Sequence, residues 1–205
     1  MTIIGLAGYA GAGKDEAANL LVGQGYERVG FADGLRSLMA EVNPTVKWGA
    51  TYLPWNEALD ILGYRRAKDE TTGRKIMQDL GNGVRNVIGL DAWVDAATRW
   101  LVKDSDYVFI DVRFPNEAQR IRDLGGLVFR IERPGVGPIV NSAGEVDISE
   151  TALDGWDFDG VIHNDGTIKD LHDDLDLAVW AKKAVGATTI VVPAAVFDRL
   201  RDVGE

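Results

Sequence analysis

Residues Gly8-Tyr9-Ala10-Gly11-Ala12-Gly13-Lys14-Asp15 form the stretch around which the rest of the chain must be built. They follow an apolar run, Ile3-Ile4-Gly5-Leu6-Ala7, which reads as a buried strand. They precede Glu16-Ala17-Ala18-Asn19-Leu20-Leu21-Val22, which reads as a helix. Strand, glycine-rich turn, Gly-Lys and helix together make a phosphate-binding loop. Glycines let consecutive backbone N–H groups curl into a concave nest, and the helix start adds partial positive charge. Lys14 supplies the mobile full charge for the outer phosphates. The residue after that lysine is ordinarily Ser or Thr, whose hydroxyl ligates magnesium. Here it is Asp15, followed by Glu16. A carboxylate also holds magnesium, directly or through water.

The remaining composition fits such a loop. At 205 residues and 46% hydrophobic content the chain supports one sizeable α/β domain. No run is long enough to span a membrane and no signal peptide opens the chain, so a cytoplasmic protein is expected. Cysteine is absent, which excludes a disulfide framework and a thiolate metal site. A net charge of -10 argues against broad binding to nucleic acid polymers. A small phosphorylated ligand needs only a few aimed basic side chains.

Further strands are expected at Tyr26 to Phe31, Tyr107 to Asp111, Leu127 to Ile131 and Gly160 to Asn164. Asp33 is read as a helix cap at a strand's carboxyl end, with Arg36 one turn into the helix. Residues 43–55 carry Trp48, Tyr52 and Trp55 without a clean period and read as an ordered loop or flap, with at least two of these aromatics in a satellite core. Glu57 to Gly63 reads as helix and Arg65-Arg66-Ala67-Lys68 as a solvated basic turn. Thr72 to Val87 reads as a helix weakened by Gly81 and Gly83. Gln78 and Arg85, seven apart, share one of its faces. Asp91 caps a helix to about Val102. Asp111 ends its strand beside the phosphate loop, where an acid approaches magnesium or its waters. Arg113 lies just past that strand, and Pro115 opens a helix. Arg133 stands at the root of a Gly- and Pro-rich segment. Ser149-Glu150 begins a short helix, and Asp165-Gly166-Thr167 caps a helix from Ile168 to Ala184. His163 and His172, the two histidines, form no metal constellation. The tail carries a strand-like Thr188 to Val192 and a helix to Arg201.

Taken together these segments resemble the phage deoxynucleoside monophosphate kinases, and more broadly the P-loop kinases with Gly-Lys-Asp in the loop. The match rests on Gly8 to Asp15, on Phe31-Ala32-Asp33 with Arg36, and on Gln78-Asp79-Leu80-Gly81 with Arg85 and Asp91-Ala92-Trp93. It extends to Asp111-Val112-Arg113-Phe114 with Asn116-Glu117, to Ser149-Glu150, and to the Asn164-Asp165-Gly166-Thr167 turn. Glu16 stands where many relatives have Thr, and Gly34 where proline is common. The resemblance implies a P-loop kinase fold: an α/β domain with a five-stranded parallel sheet and helices on both faces. It implies a kinase domain over 1–184, with a helical acceptor section at 33–103, a lid-like loop at 133–150 and an appendage at 185–205. It also implies ATP with magnesium at Ala10, Gly11, Ala12, Gly13, Lys14, Asp15 and Glu16, the metal organised by Asp15 and Asp111. Asp33, Arg36, Gln78, Arg85, Asp91, Trp93, Asp111, Arg113 and Glu117 would surround the acceptor nucleotide. Lys14, Asp15, Arg113 and Arg133 would carry the transfer.

The expected activity is transfer of the ATP γ-phosphate to a deoxynucleoside monophosphate. The rivals are a kinase of another phosphorylated acceptor, of the phosphomevalonate or dephospho-coenzyme A type, and an ATP-hydrolysing switch without an acceptor. The tail offers a surface for a homodimer, and a phage-encoded enzyme of this kind would work in host cytoplasm.

Overall fold

The computed structural model describes residues 1–139, 146, 148–185 and 190–191. The chain divides into two compact units, Met1–Gly30 with Leu101–Glu205, and Phe31–Trp100.

The first unit is a parallel sheet with helical connections. Its strands are β1 (Ile3–Ala7), β2 (Glu27–Val29), β5 (Tyr107–Phe109), β6 (Leu127–Glu132), β7 (Gly160–His163) and β8 (Ile190–Val191), with β3 (Thr45–Trp48) and β4 (Thr51–Pro54) lying in the other unit. They line up as β2-β5-β1-β6-β7-β8, every pair parallel. The five strands expected from sequence are thus one sheet. The two-residue β8 adds a sixth at the edge, within the strand-like part of the tail; the helix expected to follow it lies outside the described residues.

Strand β1 is buried along its whole length, which its run of Ile, Gly, Leu and Ala allows. Its side chains alternate between faces. Ile4 and Leu6 pack with Ala17, Ala18 and Leu21 of α1 (Lys14–Gly23) and with Leu171 and Leu175 of α8 (Ile168–Val185). Gly5 faces the other way, where a Cβ would press on Ile121 of α6 (Pro115–Asp123). Helices therefore cover both faces. The register sets Gly5 beside Phe109, Ala7 beside Arg130 and Glu132 beside His163. The carboxyl ends of β1, β5, β6 and β7 consequently share one edge, and the segments leaving them are Gly8–Gly13, Ile110–Phe114, Arg133 onward and Asn164–Thr167.

The second unit is helical with one hairpin. Residues 43–55 do not form an irregular flap: Thr45–Trp48 (β3) pairs antiparallel with Thr51–Pro54 (β4). Only Val46 and Leu53 of the hairpin are buried, which hides the alternation in the sequence. Trp55 is buried and Trp48 packs on the same cluster, while Tyr52 is exposed. Helix α3 (Trp55–Glu70) breaks at Gly63, where φ is 71°. Arg65, Arg66 and Lys68 therefore sit on a helix rather than in a turn, and Arg66 pairs with Glu70 one turn on. Helix α4 (Gly73–Val87) tolerates Gly81 because a side chain there would crowd Leu35 of α2 (Asp33–Val42). Helix α5 is shorter than expected, Ala92–Thr98.

Candidate active site

The phosphate loop is shaped by Gly8, Gly11 and Gly13, at φ 130°, 84° and 108°. Gly13 is the N-cap residue of α1. The first intrahelical acceptor is its carbonyl, taken by Ala17 N–H at 3.0 Å. The N–H groups of Lys14, Asp15 and Glu16 have no acceptor among the described residues. They are the orphan donors every helix start carries, and here they follow a turn of glycines.

Lys14 folds back over the loop. Its Nζ donates to the carbonyls of Gly8 at 2.7 Å and Tyr9 at 2.9 Å. Burial lowers its pKa, and the Arg113 guanidinium lowers it further; Asp15, Glu150 and Asp111 pull the other way. Those four residues are thus the charges that surround the Lys14 ammonium.

Arg113 leaves the end of β5, close to β1, where Val112 N–H donates to Leu6 O at 3.3 Å. Its Nη1 donates to Glu150 Oε1 at 2.7 Å and Ser149 Oγ at 3.3 Å, both on α7 (Ile148–Thr151). Glu117 sits below this turn. It is 4% exposed, and its Oε2 accepts the N–H groups of Arg113 at 2.7 Å and Phe114 at 3.0 Å. That is half of a capping box at the start of α6.

Beside them lies a small cavity of about 20 Å³, room for one water, lined by Gly8, Tyr9, Arg113, Arg130, Glu150 and Asp154 among others. Tyr9 Oη lies 3.0 Å from both Asp154 carboxylate oxygens. Arg130 Nη1 donates to Asp154 at 3.0 Å, and its guanidinium stacks over the Tyr9 ring at 5.0 Å. Neither Arg130 nor Asp154 was singled out by sequence reasoning. The signal available was an arginine in an otherwise apolar strand, Leu127-Val128-Phe129-Arg130-Ile131.

Arg133 does not line that cavity. It is exposed, in an open groove of about 220 Å³ with Glu132, Pro134, His163 and Asp165. Residues 140–145 and 147 of the expected lid at 133–150 lie outside the described residues. The Oδ1 of Asp15 pairs with Arg28 of β2 at 2.7 Å. Among the described residues no three His, Cys, Asp or Glu side chains gather as a metal site. Glu16 meets α8 instead, where His172 Nε2 lies 3.3 Å from its carbonyl oxygen.

In the second unit, Asp33 is not the cap of α2. Ala32 holds that position, and Asp33, in the first turn, forms an ion pair with Arg36. The Arg36 guanidinium also lies 5.6 Å from the Tyr64 ring centre. Gln78 is exposed and Arg85 half-buried on α4. Asp91 occupies the N-cap position of α5, its carbonyl accepting Asp95 N–H at 2.8 Å, without a side-chain cap bond. Trp93 is buried, and its indole N–H donates to Gly81 O at 3.1 Å, so its ring belongs to the packing of that unit.

A parallel sheet whose first strand runs through a glycine nest into a helix opening on lysine, with an arginine delivered from a neighbouring strand, defines a P-loop phosphotransferase. A family model described as deoxynucleotide monophosphate kinase matches residues 52–175, and the chain belongs to that family. A protein of Acanthamoeba polyphaga mimivirus carrying the provisional name deoxynucleotide monophosphate kinase is 28% identical over 194 residues, covering 84% of this chain and 93% of its own. Among solved structures, dephospho-CoA kinase from Campylobacter jejuni aligns over 90% of this chain and 98% of its own, with 11% identity and a TM-score of 0.45. Membership of the family makes the chain a nucleotide kinase that uses ATP and acts on a small-molecule acceptor. Among the described residues no helix is long and apolar enough to cross a membrane.

Proposed function

We propose that the chain transfers the γ-phosphoryl group of ATP to an α-phosphate oxygen of a deoxynucleoside monophosphate, giving ADP and the diphosphate. The observation that carries this reading is the grouping of Lys14 and Arg113 at the mouth of the loop, with the orphan N–H groups of α1 behind them. Phosphoryl transfer asks for positioning and charge neutralisation more than covalent chemistry. The acceptor phosphate is anionic near neutral pH, so its oxygen attacks phosphorus without a general base. One P–O bond forms as the bond to the ADP oxygen breaks.

Lys14 exchanges its contacts with the Gly8 and Tyr9 carbonyls for the outer ATP phosphates. Arg113 turns from Glu150 to the acceptor phosphate. The groove beside Arg133, His163 and Asp165 lies at the carboxyl ends of β6 and β7, where open parallel sheets receive ligands. Arg133 at its rim is assigned to the transferred phosphate.

Magnesium needs only one or two carboxylates once phosphates supply the rest, so Asp111, with Asp15 directly or through water, fits it. It adds charge neutralisation at the donor phosphates. From the second unit, Asp33, Arg36, Gln78, Arg85 and Asp91 are assigned to the acceptor nucleotide. Trp93 and Glu117 are assigned to holding the elements that carry these groups.

The test is ADP release from magnesium-ATP with each of the four deoxynucleoside monophosphates and their ribose counterparts. Stimulation by a deoxynucleotide, with its diphosphate as product, is the expected result. Release of ADP that no monophosphate accelerates would reject the reading.

A further inference from the structure

We propose that Asn164 is a positioning residue for nucleotide binding, holding the phosphate loop open from the carboxyl end of β7. The inference deepens the kinase reading, on which it rests only in taking the loop's ligand to be a nucleotide phosphate.

Asn164 Nδ2 donates to the carbonyl of Ala12 at 2.8 Å, a contact between residues 152 apart in sequence. A carbonyl oxygen only accepts, so the amide nitrogen must be the atom that faces it. The bond matters because of which group it occupies. Ala12 lies in the middle of the nest, where N–H groups must converge on an anion. A loop carbonyl free to rotate inward would present partial negative charge to a phosphate. Tied to Asn164, the Ala12 carbonyl is held outward, and the succeeding N–H groups of Lys14, Asp15 and Glu16 keep no competing acceptor among the described residues.

Asn164 is itself fixed. Its backbone N–H donates to Glu132 O at 2.7 Å, which continues the β6–β7 ladder by one residue. The chain then turns sharply into α8. Thr167 N–H and Oγ1 both donate to Asp170 Oδ2, at 2.8 and 2.7 Å, which closes the start of that helix. The same amide explains a glycine. A Cβ on Gly13 would overlap Asn164 Nδ2 and touch Leu171, so position 13 must be bare for Asn164 to approach, in addition to its φ of 108°. Ala12 is fully buried against the α8 side of the sheet, so the loop has little freedom to re-form the contact elsewhere. The arrangement is that of a second residue orienting the group that binds substrate, where small displacements carry large kinetic effects.

The test compares wild type with Asn164→Ala, which removes the donor without adding charge, and Asn164→Asp, which keeps the shape and replaces the donor with an acceptor. ATP affinity is measured by calorimetry with magnesium, beside KM for ATP, KM for the monophosphate and the melting temperature. The expected result is about tenfold weaker ATP binding in Asn164→Ala and a larger loss in Asn164→Asp. KM for ATP should rise in parallel, and KM for the monophosphate should stay within about twofold, a split that general loosening of the fold would not produce. ATP affinity within about twofold of wild type in a folded Asn164→Ala would overturn the proposal, as would equal losses for both substrates. If Asn164→Asp does not fold, Asn164→Ala decides by the same criterion. Because ATP binding is read directly, a protein that binds ATP while no monophosphate stimulates turnover would defeat the kinase reading and leave this test intact.

Discussion

Arg113 Nη1 lies 2.7 Å from Glu150 Oε1, and the Glu150 side chain is only 9% exposed. Glu150 also acts on Lys14, raising its pKa against the effect of burial. One carboxylate therefore offsets both cations assigned to phosphates. An incoming acceptor phosphate must displace it or share Arg113 with it. Glu150→Gln keeps the shape and removes the charge. It should tighten inhibition by inorganic phosphate about fivefold, the scale of about 1 kcal/mol for one partly exposed charge contact. The check is phosphate inhibition of turnover in the two proteins; unchanged or weaker inhibition would show that Glu150 is not a competitor.

Lys14 gives a prediction with a definite pH sign. Its pKa lies below the ordinary lysine value of 10.5, chiefly through burial and next through Arg113. Charge is therefore lost at lower pH than from an exposed lysine, and kcat/KM for ATP should begin to fall on the alkaline side before pH 10.5. Folding linkage runs the opposite way. The native state binds this proton less tightly than the unfolded chain, so the ligand-free protein gains stability relative to Lys14→Met as pH rises from the lowered value toward 10.5. Lys14→Met should lose at least about a hundredfold in kcat, as expected for a lost transition-state charge contact, and keep its fold. Circular dichroism with steady-state rates checks both parts. Full activity in Lys14→Met would remove this residue from the chemistry.

The parallel sheet and the phosphate loop were legible because each rests on local signals. An unbroken apolar run is a buried strand, and glycines before Gly-Lys are a phosphate nest. The hairpin at Thr45–Pro54 was not legible, because only Val46 and Leu53 are fully buried and Tyr52 is exposed. The helical course of Arg65 to Lys68 was masked by Gly63, which ends one helical segment and admits the next within a residue. Asp33 reads as a cap in any sequence, yet its charge is spent on Arg36. The contacts that complete the loop, Tyr9 with Asp154 and Ala12 with Asn164, join residues about 150 apart, and no local pattern announces them.

Gly8 tests whether the loop's entry is as constrained as its geometry states. Its φ is 130°, and a Cβ there would overlap the carbonyl oxygen of Ile131 in β6. Relief would require β1 and β6 to separate, because the opposing atom is backbone. Gly8→Ala should cost about 3 kcal/mol or more, combining backbone strain with disrupted packing. The midpoint of urea denaturation reads this directly. A loss under about 1 kcal/mol would mean that the loop re-forms around the added methyl.

Glu117 separates holding from touching. Its Oε2 takes the N–H groups of Arg113 and Phe114, and at 4% exposure no solvent replaces it. Removing it strands two donors beneath the arginine assigned to the acceptor phosphate. Glu117→Ala should cost about 2–4 kcal/mol from two unmet donors to a charged acceptor, a drop of roughly 5–15 °C in Tm for a chain of this size. Glu117→Gln retains a carbonyl oxygen that accepts the same bonds and should keep most of that stability. The functional effect should follow the geometry of Arg113. KM for the monophosphate should rise severalfold in Glu117→Ala at a temperature where it is folded, and Glu117→Gln should restore most of it. A residue touching the substrate would show the reverse, with activity lost in Glu117→Gln while stability is kept. Thermal denaturation and monophosphate KM across the three proteins distinguish these outcomes.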